Sequence, residues 1–237
     1  MNIALQAVGD AALKVTFSKV VSPALNRDIQ MFCQKLQQVE WNEIIEWVPA
    51  YDAVTIYYLA HKISFHRLCE KIYHLHISPI EMKNVSSRLL HIPVTYDGPD
   101  LQRVADYNEL SIEAVMKLHQ NSEYLVYMLG FLPGFPYLGG LDTSIATPRL
   151  EKPRAKTKAG SVGIAHEQTG IYPVDSPGGW NIIGKTPLRL FDSNNARAPF
   201  LFHSGDWIRF YAVSESEYER IENQVKENKF KVEMEER

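Results

Sequence analysis

Eleven of the thirteen glycines lie between Gly130 and Gly205, and that crowding limits what the second half of the chain can become. A residue without Cβ weakens helix interiors and marks tight turns, bulges and close backbone approaches. Over the same stretch the apolar residues come in short runs, at 124–132, 161–165, 171–174, 181–183, 188–191 and 207–211, each cut off by Gly or Pro. That punctuation excludes long helices and suits many short strands joined by irregular turns, as in a β-barrel or sandwich. Two short helices are expected before it, over 99–107 and 111–119. One is expected after it from Ser214, where Glu217 completes a capping box. The charged tail from Lys226 is expected to fray.

The first third has a different rhythm. Leu13, Val15 and Phe17 alternate as a half-buried strand. Ser22-Pro23 then supplies a capping hydroxyl and a first-turn proline, and Leu25, Ile29, Phe32, Cys33 and Leu36 follow at helical spacing. Strands are expected at 44–48 and 53–59. Ser64 opens a second helix carrying Phe65, Leu68, Cys69 and Ile72, and a further strand falls near 89–94. The order β-α-β-β-α-β suggests an α+β domain of the split-βαβ, ferredoxin-like kind, although the last strand also fits the next domain. The pattern breaks over 77–87, so the expected division is 1–86 and 87–237.

Hydrophobic residues make up 45% of the chain and charged residues 22%, enough apolar material for a core without metal or disulfide staples. A net charge of -3 argues against a nucleic-acid binder. Cys33 and Cys69 stand alone on helical faces and read as inert core thiols, with a bridge between them the less favoured alternative. The N-terminus lacks a basic stretch followed by an apolar run, and no apolar run is long enough for a bilayer. A cytoplasmic protein without membrane contact is the expectation.

Three segments stand out. Residues 128–140, MLGFLPGFPYLGG, interleave aromatics with Pro and Gly; such an apolar loop is a buried crossing, a pocket wall or a docking surface. Residues 160–172 combine three glycines with Gln168, Thr169 and Tyr172, neutral hydrogen-bonding groups suited to an amide or lactam. Residues 176–187, SPGGWNIIGKTP, contain a formal match to the phosphate-loop pattern from Gly179 to Thr186. A turn precedes it, Pro187 follows it, and its β-branched interior favours a glycine turn entering a strand. Arg149, Arg154, Lys156, Lys158 and Lys185 make this half locally basic: a solvated loop or an anion site. His119, His166 and His203 have no partner spacing. His74 and His76 fit a strand-like face but make no metal site.

Taken in order, the blocks at 128–140, 146–154 (ATPRLEKPR), 160–172 and 176–187 resemble the allophanate hydrolase subunit 1/KipI family, to which the smaller subunits of bacterial 5-oxoprolinases (PxpB) belong. Gly9-Asp10-Ala11-Ala12-Leu13 and Asp97-Gly98-Pro99-Asp100-Leu101 add to the resemblance. It implies a C-terminal cyclophilin-like β-barrel domain, and two partner chains of the PxpA and PxpC types. In such complexes 5-oxoproline is opened to glutamate at the expense of ATP. It also implies two alternatives, inhibition of a sporulation-type sensor histidine kinase or service in a urea- or allophanate-type complex. On this basis Gln168, Thr169, Tyr172, Gly178, Gly179 and Trp180 are candidate substrate contacts, and Arg149, Arg154 or Lys185 the candidate carboxylate holder. Phe131, Pro133, Phe135 and Tyr137 are the candidate docking residues. The chain departs from the family pattern at Thr157-Lys158, His166 and Lys185.

Overall fold

A computed structural model describes residues 3–17, 20–78 and 87–237, and the chain divides into units Met1–Ser86 and Ser87–Arg237. In the first unit β1 (Ile3–Val8), β2 (Ala12–Phe17), α1 (Pro23–Val39), β3 (Ile44–Pro49), β4 (Ala53–Tyr58) and α2 (Phe65–Ile77) follow one another. The strands form an antiparallel sheet in the order β1-β2-β4-β3. Alternation buries Leu13, Val15, Phe17, Val54, Ile56 and Tyr58 against Leu25, Ile29 and Phe32 of α1 and Leu68 and Ile72 of α2. Ser22 Oγ accepts the Leu25 N–H at 3.2 Å, as the capping pattern predicts. Lys35 Nζ donates to the carbonyls of Leu75, His76 and Ser78 at 3.3, 3.0 and 2.8 Å, closing the C-terminal end of α2.

Three expectations change here. The strand expected near 89–94 lies in the second unit, and β1, which the sequence pattern did not single out, occupies the sheet edge beside β2. His74 and His76 lie on α2 rather than on a strand. The break expected over 77–87 falls largely outside the described residues. Cys33 and Cys69 are free; burial pushes the Cys33 thiol up to about 12, which makes it a packing group.

The second unit contains β5 (Arg88–Val94), α3 (Leu101–Tyr107), α4 (Ile112–Asn121), β6 (Glu123–Leu129), β7 (Pro136–Gly139), β8 (Arg154–Thr157), β9 (Ser161–Ala165), β10 (Gln168–Ile171), β11 (Ser176–Gly178), β12 (Asn181–Lys185), β13 (Trp207–Ala212), α5 (Glu215–Lys226) and β14 (Met234–Glu236). Eight strands form one sheet in the order β12-β9-β10-β7-β6-β13-β5-β14, and β11 with β8 forms a separate ribbon. Thr95 and Lys185 exchange backbone hydrogen bonds at 3.0 Å, which curls the sheet so that the chain beyond β5 meets β12. That approach needs glycine: a Cβ on Gly184 would sit 2.3 Å from the Thr95 carbonyl oxygen. Leu90, Ile92, Val126, Val162, Ile164, Ile171 and Ile183 line the core with Val104, Val115 and Ile221 of the helices.

The tail does not fray at its end. Met234–Glu236 pairs antiparallel with β5, the His91 ring lies 2.9 Å from Glu235, and Arg237 reaches Glu123 at 2.6 Å. An open strand edge offers backbone partners that a charge count along the sequence does not reveal. The run at 188–191 forms no strand, only a single bridge between Phe191 and Phe200. Among the described residues no helix is long and apolar enough to cross a membrane.

Candidate functional site

The loop from Gly130 to Phe135 folds back on itself: the Leu132 N–H donates to Gly130 at 2.8 Å and the Gly130 N–H to Phe135 at 3.1 Å. The turn places Phe131 in the left-handed region at φ 67°, unusual for an aromatic residue, with 69% of its surface exposed. Phe135, buried inside the turn, is an aromatic hub. Its ring lies 5.2 Å from Tyr137, 5.4 Å from Tyr172 and 5.4 Å from Trp180, each in an edge-on arrangement. These rings, with Phe131, Pro153, Pro177, Gly178, Gly179 and Arg149, line a cavity of about 250 Å³. The Leu150 N–H donates to the Gly179 carbonyl at 2.8 Å and so carries the adjoining Arg149 to the rim.

The chemistry of this cavity is legible from its atoms. Burial pushes the Tyr172 and Tyr137 phenols up, with the Arg149 charge pulling both partly back, so both stay neutral hydrogen-bonding groups at ordinary pH. Arg149 is exposed, and among the described residues no carboxylate lies within ion-pair distance of it. An aromatic slot with one uncompensated guanidinium suits a small, flat, carboxylate-bearing molecule. A larger groove of about 770 Å³ lies in the first unit, where Lys71 is engaged by Glu43 at 3.2 Å and sits 4.3 Å over Trp41.

Of the candidates, Arg149, Tyr172, Gly178, Gly179, Trp180, Phe131, Phe135 and Tyr137 therefore meet around one cavity. The others lie elsewhere. Arg154 Nη2 is 2.5 Å from Asp100, whose other oxygen accepts the Ile182 N–H at 2.7 Å. Arg154 Nη1 also donates to the Trp180 carbonyl at 3.4 Å, so this side chain braces the pocket wall instead of holding a ligand. Lys185 is held by Asp97 at 3.0 Å and Glu215 at 3.2 Å, over the Tyr218 ring. Thr169 is fully buried and Gln168 is half-buried on β10, neither lining the cavity. As docking residues only Phe131 and Pro133 are well exposed; Phe135 keeps 1% of its surface because it is the hub of the cluster. The phosphate-loop match is a strand: β12 ends at Lys185 and no helix follows.

Replacing Arg154 with Met would leave Asp100, 6% exposed, without its cation. Breaking such a buried pair from one side is expected to cost about 3 kcal/mol of stability. Urea denaturation measures this directly, and an unchanged midpoint would remove the bracing role.

The sequence left His119 without partner spacing and read it as a satisfied histidine rather than a catalyst; it has no exposed surface and stacks on Phe210 at 4.5 Å. Its Nδ1 lies 2.8 Å from Tyr96 Oη and its Nε2 2.9 Å from Thr169 Oγ1, which itself donates to the Gly163 carbonyl. That chain makes Nε2 the protonated nitrogen and Nδ1 the acceptor. Burial lowers the imidazole to about 3, so it is a neutral structural link inside the second unit. Nothing in the spacing of the sequence pairs His119 with Thr169.

With this geometry in view, the chain belongs to the carboxyltransferase domain family, subdomains C and D, whose model matches residues 3–202. It is similar to the B subunit of 5-oxoprolinase from Bacillus subtilis, 37% identical over 90% of this chain and 94% of that one. The corresponding B subunit from Escherichia coli O157:H7 is likewise 37% identical, over 88% of this chain and 95% of that one. The urea amidolyase structure from Kluyveromyces lactis, 21% identical, superposes over 99% of this chain and 16% of its own with a TM-score of 0.81, a likeness of fold.

Proposed function

We propose that this chain is the PxpB-type component of a cytoplasmic, ATP-dependent 5-oxoprolinase that opens 5-oxoproline to glutamate together with PxpA and PxpC partners. The relatives' names support this, and the observation on the molecule that carries it is the aromatic cavity with Arg149 at its rim. A five-membered lactam acid has one flat apolar body and one carboxylate, which the rings and the guanidinium complement in turn. Tyr172, Gly178, Gly179 and Trp180 are the substrate contacts in this proposal. ATP acts at the level of the complex: phosphorylating the lactam oxygen turns a resonance-stabilised amide carbon into one that water attacks. The chain alone is expected to be inactive.

In finer terms, we take the first unit as a ferredoxin-like variant, with β1 standing where the final strand of that topology lies, and the second as a cyclophilin-like barrel. Reconstitution tests the function. Purified PxpA and PxpC are mixed with and without this chain, and ATP-dependent glutamate release from 5-oxoproline is followed. Turnover that does not depend on this chain would end the proposal. A urea- or allophanate-type complex would instead show in the substrate profile of the same assembly.

A second role is favoured by Phe131, an exposed aromatic held on a rigid turn. With Pro133 it offers an exposed apolar tip suited to a partner protein, either a neighbouring component of the complex or the helical bundle of a sensor histidine kinase. Kinase autophosphorylation measured with and without the chain separates the two.

A further inference from the structure

Two hydroxyls next to the aromatic cavity make no hydrogen bond. Thr157 Oγ1 and Ser176 Oγ are the buried side-chain polar atoms left unpaired among the described residues. Thr157 keeps 3% of its surface and Ser176 8%. Folding rarely leaves such groups unmade, because a buried donor without an acceptor forfeits the hydrogen bonds it had with water. The two sit opposite each other in register on β8 and β11, so their side chains share one side of the ribbon. The register then breaks between Ser176 and Gly178.

Gly178 is the thin wall between these hydroxyls and the cavity. It lines the cavity, and a Cβ built on it would lie 2.7 Å from Thr157 Oγ1 and 2.5 Å from Tyr172 Oη. Two hydroxyls, those of Thr157 and Tyr172, thus converge on a residue that has no side chain to separate them from the cavity, and Ser176 lies across the ribbon from Thr157. Burial keeps the Tyr172 phenol neutral, so its hydroxyl has a proton to give. The ribbon that carries this wall has only two register pairs, and Gly178-Gly179 offers little resistance to a local shift.

We propose that Thr157 and Ser176 are specificity-determining hydroxyls: with Tyr172 they donate hydrogen bonds to a carbonyl oxygen at the inner end of the cavity. The ligand reaches them when the Gly178-Gly179 turn yields, and the unmade hydrogen bonds of the free protein are then formed. The cavity in this way selects a small ring acid that carries a carbonyl over one that lacks it. Such a preference arises because a site built for a hydrogen bond penalises the analogue that leaves it unmade. It presupposes the lactam-acid role assigned to the cavity above.

The test uses Thr157→Val and Ser176→Ala in the enzyme assembled with its two partner chains. Both changes remove a donor at nearly constant volume. KM for 5-oxoproline is expected to rise about tenfold in each, which corresponds to about 1.4 kcal/mol. Inhibition by cyclopentanecarboxylate, which has the ring and the carboxylate but no ring carbonyl, is expected to stay the same. The unfolding temperature is expected to hold or rise, since an unpaired buried hydroxyl has been removed. A fall in that temperature with equal losses for both ligands would make the hydroxyls structural and overturn the proposal. So would an unchanged KM in both variants of an active assembly, leaving the functional assignment standing. A wild-type assembly with no activity on 5-oxoproline overturns both.

Discussion

Acidification from pH 6.5 to pH 3 is expected to strip about 4–5 kcal/mol of stability from the second unit through His119 alone. The folded protein holds this imidazole neutral down to about 3, whereas the unfolded chain takes up a proton near 6.5. Between those values the unfolded state binds more protons, so stability is fully present above pH 6.5 and drains away as the pH falls. Carboxylates add to any acid transition, so the comparison that isolates the histidine is with His119→Gln. Its amide can still donate toward Thr169 and accept from Tyr96, but it does not titrate. Urea midpoints from pH 8 to pH 4 should show the wild type losing about one proton's worth of slope more than the variant. Parallel curves would mean that the ring finds a proton without unfolding, and that the buried network is looser than its distances imply.

The second large effect is expected at Arg149. Charge-assisted hydrogen bonds to a carboxylate contribute about 1.5–3 kcal/mol each. Arg149→Met in the assembled enzyme should therefore lower kcat/KM for 5-oxoproline about 100-fold, mainly by raising KM. The unfolding midpoint should not move, because this side chain is exposed and holds no carboxylate among the described residues. Arg149→Lys should recover only part of the loss, since an ammonium keeps the charge but not the two-pronged geometry. A KM unchanged by the methionine variant would take the substrate carboxylate elsewhere, and the aromatic cavity with it.

The neighbouring cations show why the assignment needed three dimensions. Arg149, Arg154 and Lys185 are alike as cations in a basic stretch, and the sequence offers no ground for choosing among them. Arg154 is spent on Asp100, 54 residues earlier, and Lys185 on Asp97 and Glu215, the latter 30 residues later. Such pairs cross between elements, and no periodicity records them. The same holds for Thr169, which has the right chemistry for an amide contact but turns inward to His119. Aromatic residues were easier to place, because a run of rings among prolines and glycines has few ways to avoid forming a wall.

By itself the sequence determined the local matters. Among them were the helix starts at Ser22, Ser64, Ser111 and Ser214, the alternating strands of the first unit, and the strand-and-turn character of the glycine-rich half. Each depends on residues within a few positions of one another, where backbone sterics and capping act directly. Only the tertiary structure decided which strand fills the sheet edge beside β2, that the charged tail returns to pair with β5, and which of three cations is left free at the cavity. Those outcomes depend on hydrogen bonds and charges brought together from distant parts of the chain, and a contact of that kind leaves no mark on local spacing.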